Sequence, residues 1–271
     1  MKNTLIVLCC LTLGLFNCKS DNKESKTTSE DLVENIAGQD TLMAKKSDIK
    51  ITPINHATMV LQCDGTVIYV DPVGGVDRFK GQPKPDLILV TDIHGDHLNV
   101  ETLEGVRTEA TQLVVPEAVY NQLSDTLKNS SHIMSNGQTL SIDIKKTPIK
   151  IEAIPMYNLR KEALQFHTKG RGNGYVLNWG GQRVYISGDT EDIPEMCALK
   201  NIDIAFVCMN LPYTMPVESA ADAVLEFKPK KVFPYHYKGT GGFSDVSKFK
   251  ELVNAGDSNI EVVQLDWYPN N

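Results

Sequence analysis

The sequence has no excess of basic residues: 27 Lys and Arg stand against 34 Asp and Glu, a net charge of −7. A chain so balanced lacks the cationic face that phosphate neutralisation demands, which excludes a nucleic-acid partner. Cysteine is sparse. Beyond residue 18 only Cys63, Cys197 and Cys208 occur, widely spaced, so they form no disulfide framework. Cys63 and Cys208 sit in apolar, strand-like runs and read as small core residues. There is no Gly-x-Ser-x-Gly nucleophile elbow and no short-period repeat. The apolar run from Leu5 to Phe16 is too short to span a bilayer.

That run lies in MKNTLIVLCCLTLGLFNCKS. A basic residue, Lys2, followed by a short apolar stretch is the pattern of a secretory signal. LFNC is a loose lipobox with Cys18 as the acylated residue. The expectation is a lipoprotein-type signal over residues 1–18. It implies an exported chain that faces the periplasm or cell surface and touches membrane only through its lipid anchor. The alternative is an ordinary signal peptide cleaved nearby. Residues 19–47 are rich in Ser, Thr, Lys, Glu, Asp and Asn and poor in aromatics, so they read as a flexible tether.

From residue 48 to 271 the pattern is that of one folded domain. IKITPI, TMVLQC and TVIYVDP are β-rich runs with a turn at Asp64-Gly65. DLILV is apolar throughout, as a strand covered on both faces should be. VETLEGV and PEAVYNQL read as short helices, and QTLSIDI and IKIEAIP as strands. A second series follows: the hairpin GYVLNW–GG–QRVYIS, helical IPEMCALK, the buried strand IDIAFVCMN, the amphipathic helix ESAADAVLEF, the strand KKVFPYHY, the helix SDVSKFKELVNAG and the strand IEVVQLDW. Two similar halves of strands and helices predict an α/β fold. Two mixed sheets pack face to face with helices outside, a four-layer αβ/βα sandwich.

Chemistry concentrates at strand ends. TDIHGDH, residues 91–97, follows LILV. Asp92 and His94 are two apart, so an extended backbone points them the same way. Gly95 permits a turn that lets Asp96 and His97 face a second point. The spacing suits two neighbouring ions. Asp189 in SGDT and His236 in PYHY end two further apolar strands and can complete such sites. His167, in the FHTKGRG loop, is a rival ligand, or else a substrate contact. His56 reads either as a partner orienting a ligand or as a packed histidine. His132 reads as surface. Asp71 caps a turn or orients a ligand.

These segments resemble the metallo-β-lactamase superfamily of metallohydrolases. The nearest likeness is to the branch holding L-ascorbate-6-phosphate lactonase and N-acyl-phosphatidylethanolamine phospholipase D. It rests on INHATMVLQCDGTVIYVDPV, TDIHGDH, FHTKGRGNGYVL, SGDT, PYTMPVESAADAV and PYHY, and covers about residues 49–268. The resemblance implies one metal site of Asp96, His97 and His236, with Asp189 bridging to another that contains His94. The sequence departs at that other site, where Asp92 and Asn158 stand in place of the family's histidines. The first site is then oxygen-rich: Asp92, His94, Asn158 and Asp189. Imidazole-rich sites suit zinc and oxygen-rich ones harder ions such as manganese. One firmly bound zinc or manganese ion is expected, with a second held weakly.

The activity implied is metal-dependent hydrolysis. A divalent ion lowers the pKa of a coordinated water toward ~7. Asp96 and His97 are the expected catalytic ligands, and His167 or Lys169 steadies a developing oxyanion. A small-molecule or lipid-like anionic substrate, a phosphodiester or a lactone, would meet His167, Lys169, Arg171 and Tyr213, with Met215 nearby. The competing reading is a degenerate surface lipoprotein that binds metal or ligand without turnover.

Overall fold

Residues 44–271 form one unit, and the computed structural model describes residues 46–269. Cys18, its leader and the tether up to residue 45 lie outside the described residues. The last residues before the expected domain make contacts with it. Lys46 pairs with Asp203, and the Ser47 N–H donates to the Gly180 carbonyl at 2.9 Å.

Alternating side chains explain the first sheet. Its strands are β1 (Lys50–Asn55), β2 (Thr58–Cys63), β3 (Thr66–Val70), β4 (Leu87–Leu89), β5 (Gln112–Val115) and β6 (Ser131–Ile133), side by side in that order. The first three are antiparallel and β3 to β6 are parallel. Ile68, Val70, Leu87 and Leu89 enter one buried cluster, while the intervening Val67, Tyr69 and Ile88 enter another. Period two thus buries both faces. The outer face is closed by α1 (Val100–Val106), α2 (Glu117–Tyr120) and α3 (Asp125–Lys128), which contribute Leu103, Val106, Val119 and Leu127. Asn99 caps α1 by accepting the Thr102 N–H.

The second sheet runs β7 (Thr139–Ile144), β8 (Thr147–Met156), β9 (Gly172–Trp179), β10 (Gln182–Ile186), β11 (Ile204–Cys208), β12 (Lys231–Tyr235) and finally β15 (Glu261–Val262). It too is mixed, antiparallel up to β10 and parallel beyond. A small hairpin, β13 (Lys238–Gly239) and β14 (Gly242–Phe243), follows β12. One core cluster joins Met59, Leu61 and Ile68 of the first sheet to Ile151, Leu177 and Ile186 of the second. The same cluster runs on into α4 (Pro194–Cys197), α5 (Val217–Phe227) and α6 (Val246–Gly256). This is the expected sandwich of two mixed sheets with helices outside. Cys63, Cys197 and Cys208 are free and buried. The strands β5 and β6 and the β13–β14 hairpin were not foreseen.

The two sheets approach closely at one end. Asn173 donates its N–H to the Thr91 carbonyl, just beyond β4, at 3.0 Å. A Cβ on Gly172 would lie 2.7 Å from that same oxygen, so only glycine fits. Gly172→Ala should therefore cost about 1–3 kcal/mol in denaturant unfolding, the usual range for overpacking. An unchanged midpoint would show that the sheets have slack there.

Candidate metal centre

Parallel strands end on the same edge, so the segments leaving them converge. TDIHGDH leaves β4, SGDT leaves β10, and His236 follows β12 directly. Within the motif, Asp92 and His94 fall into one group and Asp96 and His97 into another.

The second group is Asp96, His97, Asp189 and His236. The Nε2 atoms of His97 and His236 face each other at 3.1 Å. His97 Nε2 lies 3.3 Å from Asp189 Oδ2, and His236 Nε2 lies 3.2 Å from Asp189 Oδ1 and 3.3 Å from Asp96 Oδ2. Both imidazoles are fully buried. Asp189 Oδ1 makes no well-formed hydrogen bond, although His236 Nε2 lies 3.2 Å away. Two imidazole lone pairs and two carboxylates around one buried point fit a divalent cation, and zinc takes such N and O donors. His97 Nδ1 donates to Asp71 Oδ2 at 2.8 Å. Asp71 also accepts the Thr91 N–H and hydroxyl, each at 2.7 Å. The carboxylate thereby fixes which nitrogen of His97 carries the proton and leaves Nε2 free for a cation. His56 acts similarly on Asp96: its Nε2 lies 3.4 Å from Asp96 Oδ2, while its Nδ1 meets the Tyr268 hydroxyl at 2.7 Å.

The first group is Asp92, His94 and His167. His167 Nε2 lies 4.0 Å from Asp92 Oδ2 and 3.1 Å from Asp189 Oδ2, so Asp189 touches both groups. His167 Nδ1 faces the Tyr213 carbonyl at 3.1 Å. Asn158, placed in this site by the resemblance, uses its amide nitrogen to hold two loops. It donates to the Ala163 and Tyr213 carbonyls at 2.8 and 2.6 Å, while its buried Oδ1 has no hydrogen-bond partner. The imidazole that reaches this group is therefore His167, brought in from the following loop.

Arg171 does not face outward. Its Nε and Nη2 donate to the two oxygens of Asp92 at 3.0 and 2.7 Å. Lys169 pairs with Glu195 at 2.5 Å and lies over the Tyr157 ring. The two cations expected to meet the substrate are placed otherwise in this structure. Each is neutralised by a carboxylate, and neither lines the cavity at the centre. That cavity, of about 280 Å³, is lined by His94, Asp96, Phe166, His167, Asp189, Asn210 and Tyr213. A larger cleft of about 460 Å³ beside the β9–β10 turn contains none of the candidate ligands. His132 bonds Gln112 on neighbouring β5, and Met215 is buried in the core.

Sequence reasoning missed the clamp over the centre. Buried Glu191 accepts the N–H groups of Leu159 and Arg160 and the Arg160 Nε. The Arg160 Nη2 then donates to the carbonyls of Pro212 and Thr214, tying the loop after β8 to the loop after β11. The available signal was one more carboxylate directly after SGDT. It missed Asn210 and Phe166 as well, since neither has a motif.

The description "Beta-lactamase superfamily domain" belongs to a family model that matches residues 50–236. The UPF0173 metal-dependent hydrolase of Pyrococcus horikoshii is 30% identical over 227 residues, which is 80% of this chain and 96% of that one. A second, from Methanopyrus kandleri, is 30% identical and covers 80% of this chain and 97% of its own length. A crystal structure from Parabacteroides distasonis is 38% identical with a TM-score of 0.72, covering 82% of this chain and 94% of that one.

Two outcomes follow from this geometry. Asp71→Asn should weaken metal affinity about 10–100-fold, as loss of such an orienting partner does, measured by titration calorimetry. Equal affinity would remove Asp71 from that role. The second outcome concerns pH. Burial opposes charge on His97, but Asp189, Asp71 and Asp96 hold its pKa well above the ordinary 6.5. A raised histidine pKa stabilises below the unfolded value and loses that contribution as pH rises through the folded one. The metal-stripped protein should thus melt at progressively lower temperature as pH is raised above 6.5. A melting temperature that rises instead would contradict this.

Proposed function

The chain belongs to the metallo-β-lactamase superfamily and is one of its metal-dependent hydrolases; on that premise we propose that it hydrolyses a phosphodiester or a lactone. The observation that carries this reading is the position of Asp96 and Asp189. Both belong to the metal-binding group and both line the open cavity. The sequence motifs favour the branch of L-ascorbate-6-phosphate lactonase and N-acyl-phosphatidylethanolamine phospholipase D. The cavity adds a reason for a substrate of low charge. Its lining contains His94, His167, Asn210 and Tyr213 but no Lys or Arg. A diester or lactone suits such a wall better than a phosphate monoester.

Asp96, His97, Asp189 and His236 would hold a zinc or manganese ion, which when bound would lower the pKa of a water enough to supply hydroxide at neutral pH. The residues of the chain do the rest. Asp96, oriented by His56, accepts a hydrogen bond from the attacking water and aims it. His167 donates its Nδ1–H to the Tyr213 carbonyl and presents Nε2 on the cavity side; in its doubly protonated form it donates from Nε2 to the developing oxyanion. The Glu191–Arg160 clamp holds Tyr213 in place over this histidine. The proposal includes export and anchoring through Cys18, supported by the leader pattern alone.

The test supplies manganese or zinc to the purified protein and assays bis(p-nitrophenyl) phosphate and simple lactones. Turnover of either class is expected. His97→Ala should reduce it to the level of chelated protein, and His167→Gln should lower kcat about 10²-fold, within the usual acid–base range. If neither class is turned over, or if His97→Ala matches wild type, the proposal is wrong.

A further inference from the structure

Arg171 lies where the resemblance places a second metal ion. Its guanidinium fork closes on Asp92, Nε to Oδ1 at 3.0 Å and Nη2 to Oδ2 at 2.7 Å. The same Nη2 donates to the Phe166 carbonyl at 2.5 Å and lies 3.4 Å from His94 Nε2. His94 Nδ1 is 3.0 Å from Asp92 Oδ2. Nη2 has two hydrogens, taken by Asp92 and Phe166, and His94 donates its Nδ1–H to Asp92, so His94 Nε2 keeps its lone pair beside the guanidinium. Both carboxylate oxygens of Asp92 and the Nδ1 of His94 are therefore engaged within the group, and the one lone pair His94 keeps faces a guanidinium. This donor set does not fit a divalent ion as it stands. A bidentate arginine–carboxylate pair is among the stronger and geometrically most demanding polar contacts. Asp92 is fully buried and the Arg171 side chain is 18% exposed, so water competes little for either.

Backbone packing delivers the guanidinium there. Arg171 directly precedes Gly172, whose lack of a side chain lets the start of β9 lie against the Thr91 carbonyl. Thr91 in turn directly precedes Asp92. The two partners are 79 residues apart in sequence yet are set face to face by one close contact between the sheets.

We propose that Arg171 is the resident cation of the first site, so that the centre binds a single ion, at Asp96, His97, Asp189 and His236. The inference rests on the metal-dependent reading above and refines it. Arg171 supplies the positive charge that Asp92 requires, and like-charge repulsion keeps a second ion out. The Asp92 substitution and the arginine form one matched change: a histidine at position 92 would offer the fork no carboxylate.

Elemental analysis after loading with manganese and desalting tests this on the full domain. Wild type should retain one ion per chain and give the six-line electron paramagnetic resonance spectrum of isolated manganese. Arg171→Ala and Arg171→Met should retain two ions and show a spin-coupled pair. An anomalous difference map of zinc-loaded wild-type crystals gives a readout independent of the variants. One peak between His97 and His236, with the Arg171 fork still on Asp92, supports the proposal. Two ions on wild type, by count or by map, overturn it, as does a single ion on both folded variants. Absence of bound metal from every form would instead overturn the hydrolase reading on which this inference depends.

Discussion

Two imidazole nitrogens 3.1 Å apart in a fully buried site must share a proton or a cation between them, since two bare lone pairs would repel. The rest of the centre can be understood as meeting that constraint. Asp71 assigns the proton of His97 to the far nitrogen, so that the near one is a lone pair. Asp96 and Asp189 add negative charge around the same point. Inside a protein such charges are weakly screened, so their attraction for a cation is large and their mutual repulsion without one is costly. The sheets must therefore bring these groups together from both halves of the chain, and hold them.

The two halves of the TDIHGDH motif meet opposite electrostatic solutions. Asp96 and His97 face a second imidazole and a carboxylate, an arrangement short of positive charge. Asp92 and His94 face a guanidinium, an arrangement already balanced. Asp189 stands between, with one oxygen toward His236 and the other toward His97 and His167. Burial favours its neutral form, but these three histidines hold its pKa well below the usual carboxylate range. A carboxylate so placed keeps its charge whichever side a substrate approaches.

Much of this was legible in the sequence, for physical reasons. Strands buried on both faces, such as DLILV and IDIAFVCMN, must be continuously apolar, and each then ends abruptly in residues that a core would not tolerate. That contrast exposes Asp92 to His97, Asp189 and His236. Loop geometry left no such trace. Whether Asn158 or His167 approaches Asp92 depends on the path of residues 157–171, which is set by Glu191 and Arg160 rather than by any periodicity. Lys169 and Arg171 looked equivalent as loop cations. Their different fates depend on Glu195 and Asp92, partners 26 and 79 residues away. The strand β6 was hidden by its polar edge position, where alternation is weak.

His97 and His236 are separated by 139 residues, most of the distance between the two halves of the fold. Any particle shared by their nitrogens acts as a cross-link that closes a very long loop. Loop closure costs entropy that grows with the logarithm of length, about 0.6 kcal/mol per doubling, so a link of this span restricts the unfolded chain more than a local one. The centre is thus also a fastener of the tertiary structure. A chain that meets its metal while folding would gain its reactive centre and its final rigidity in the same event.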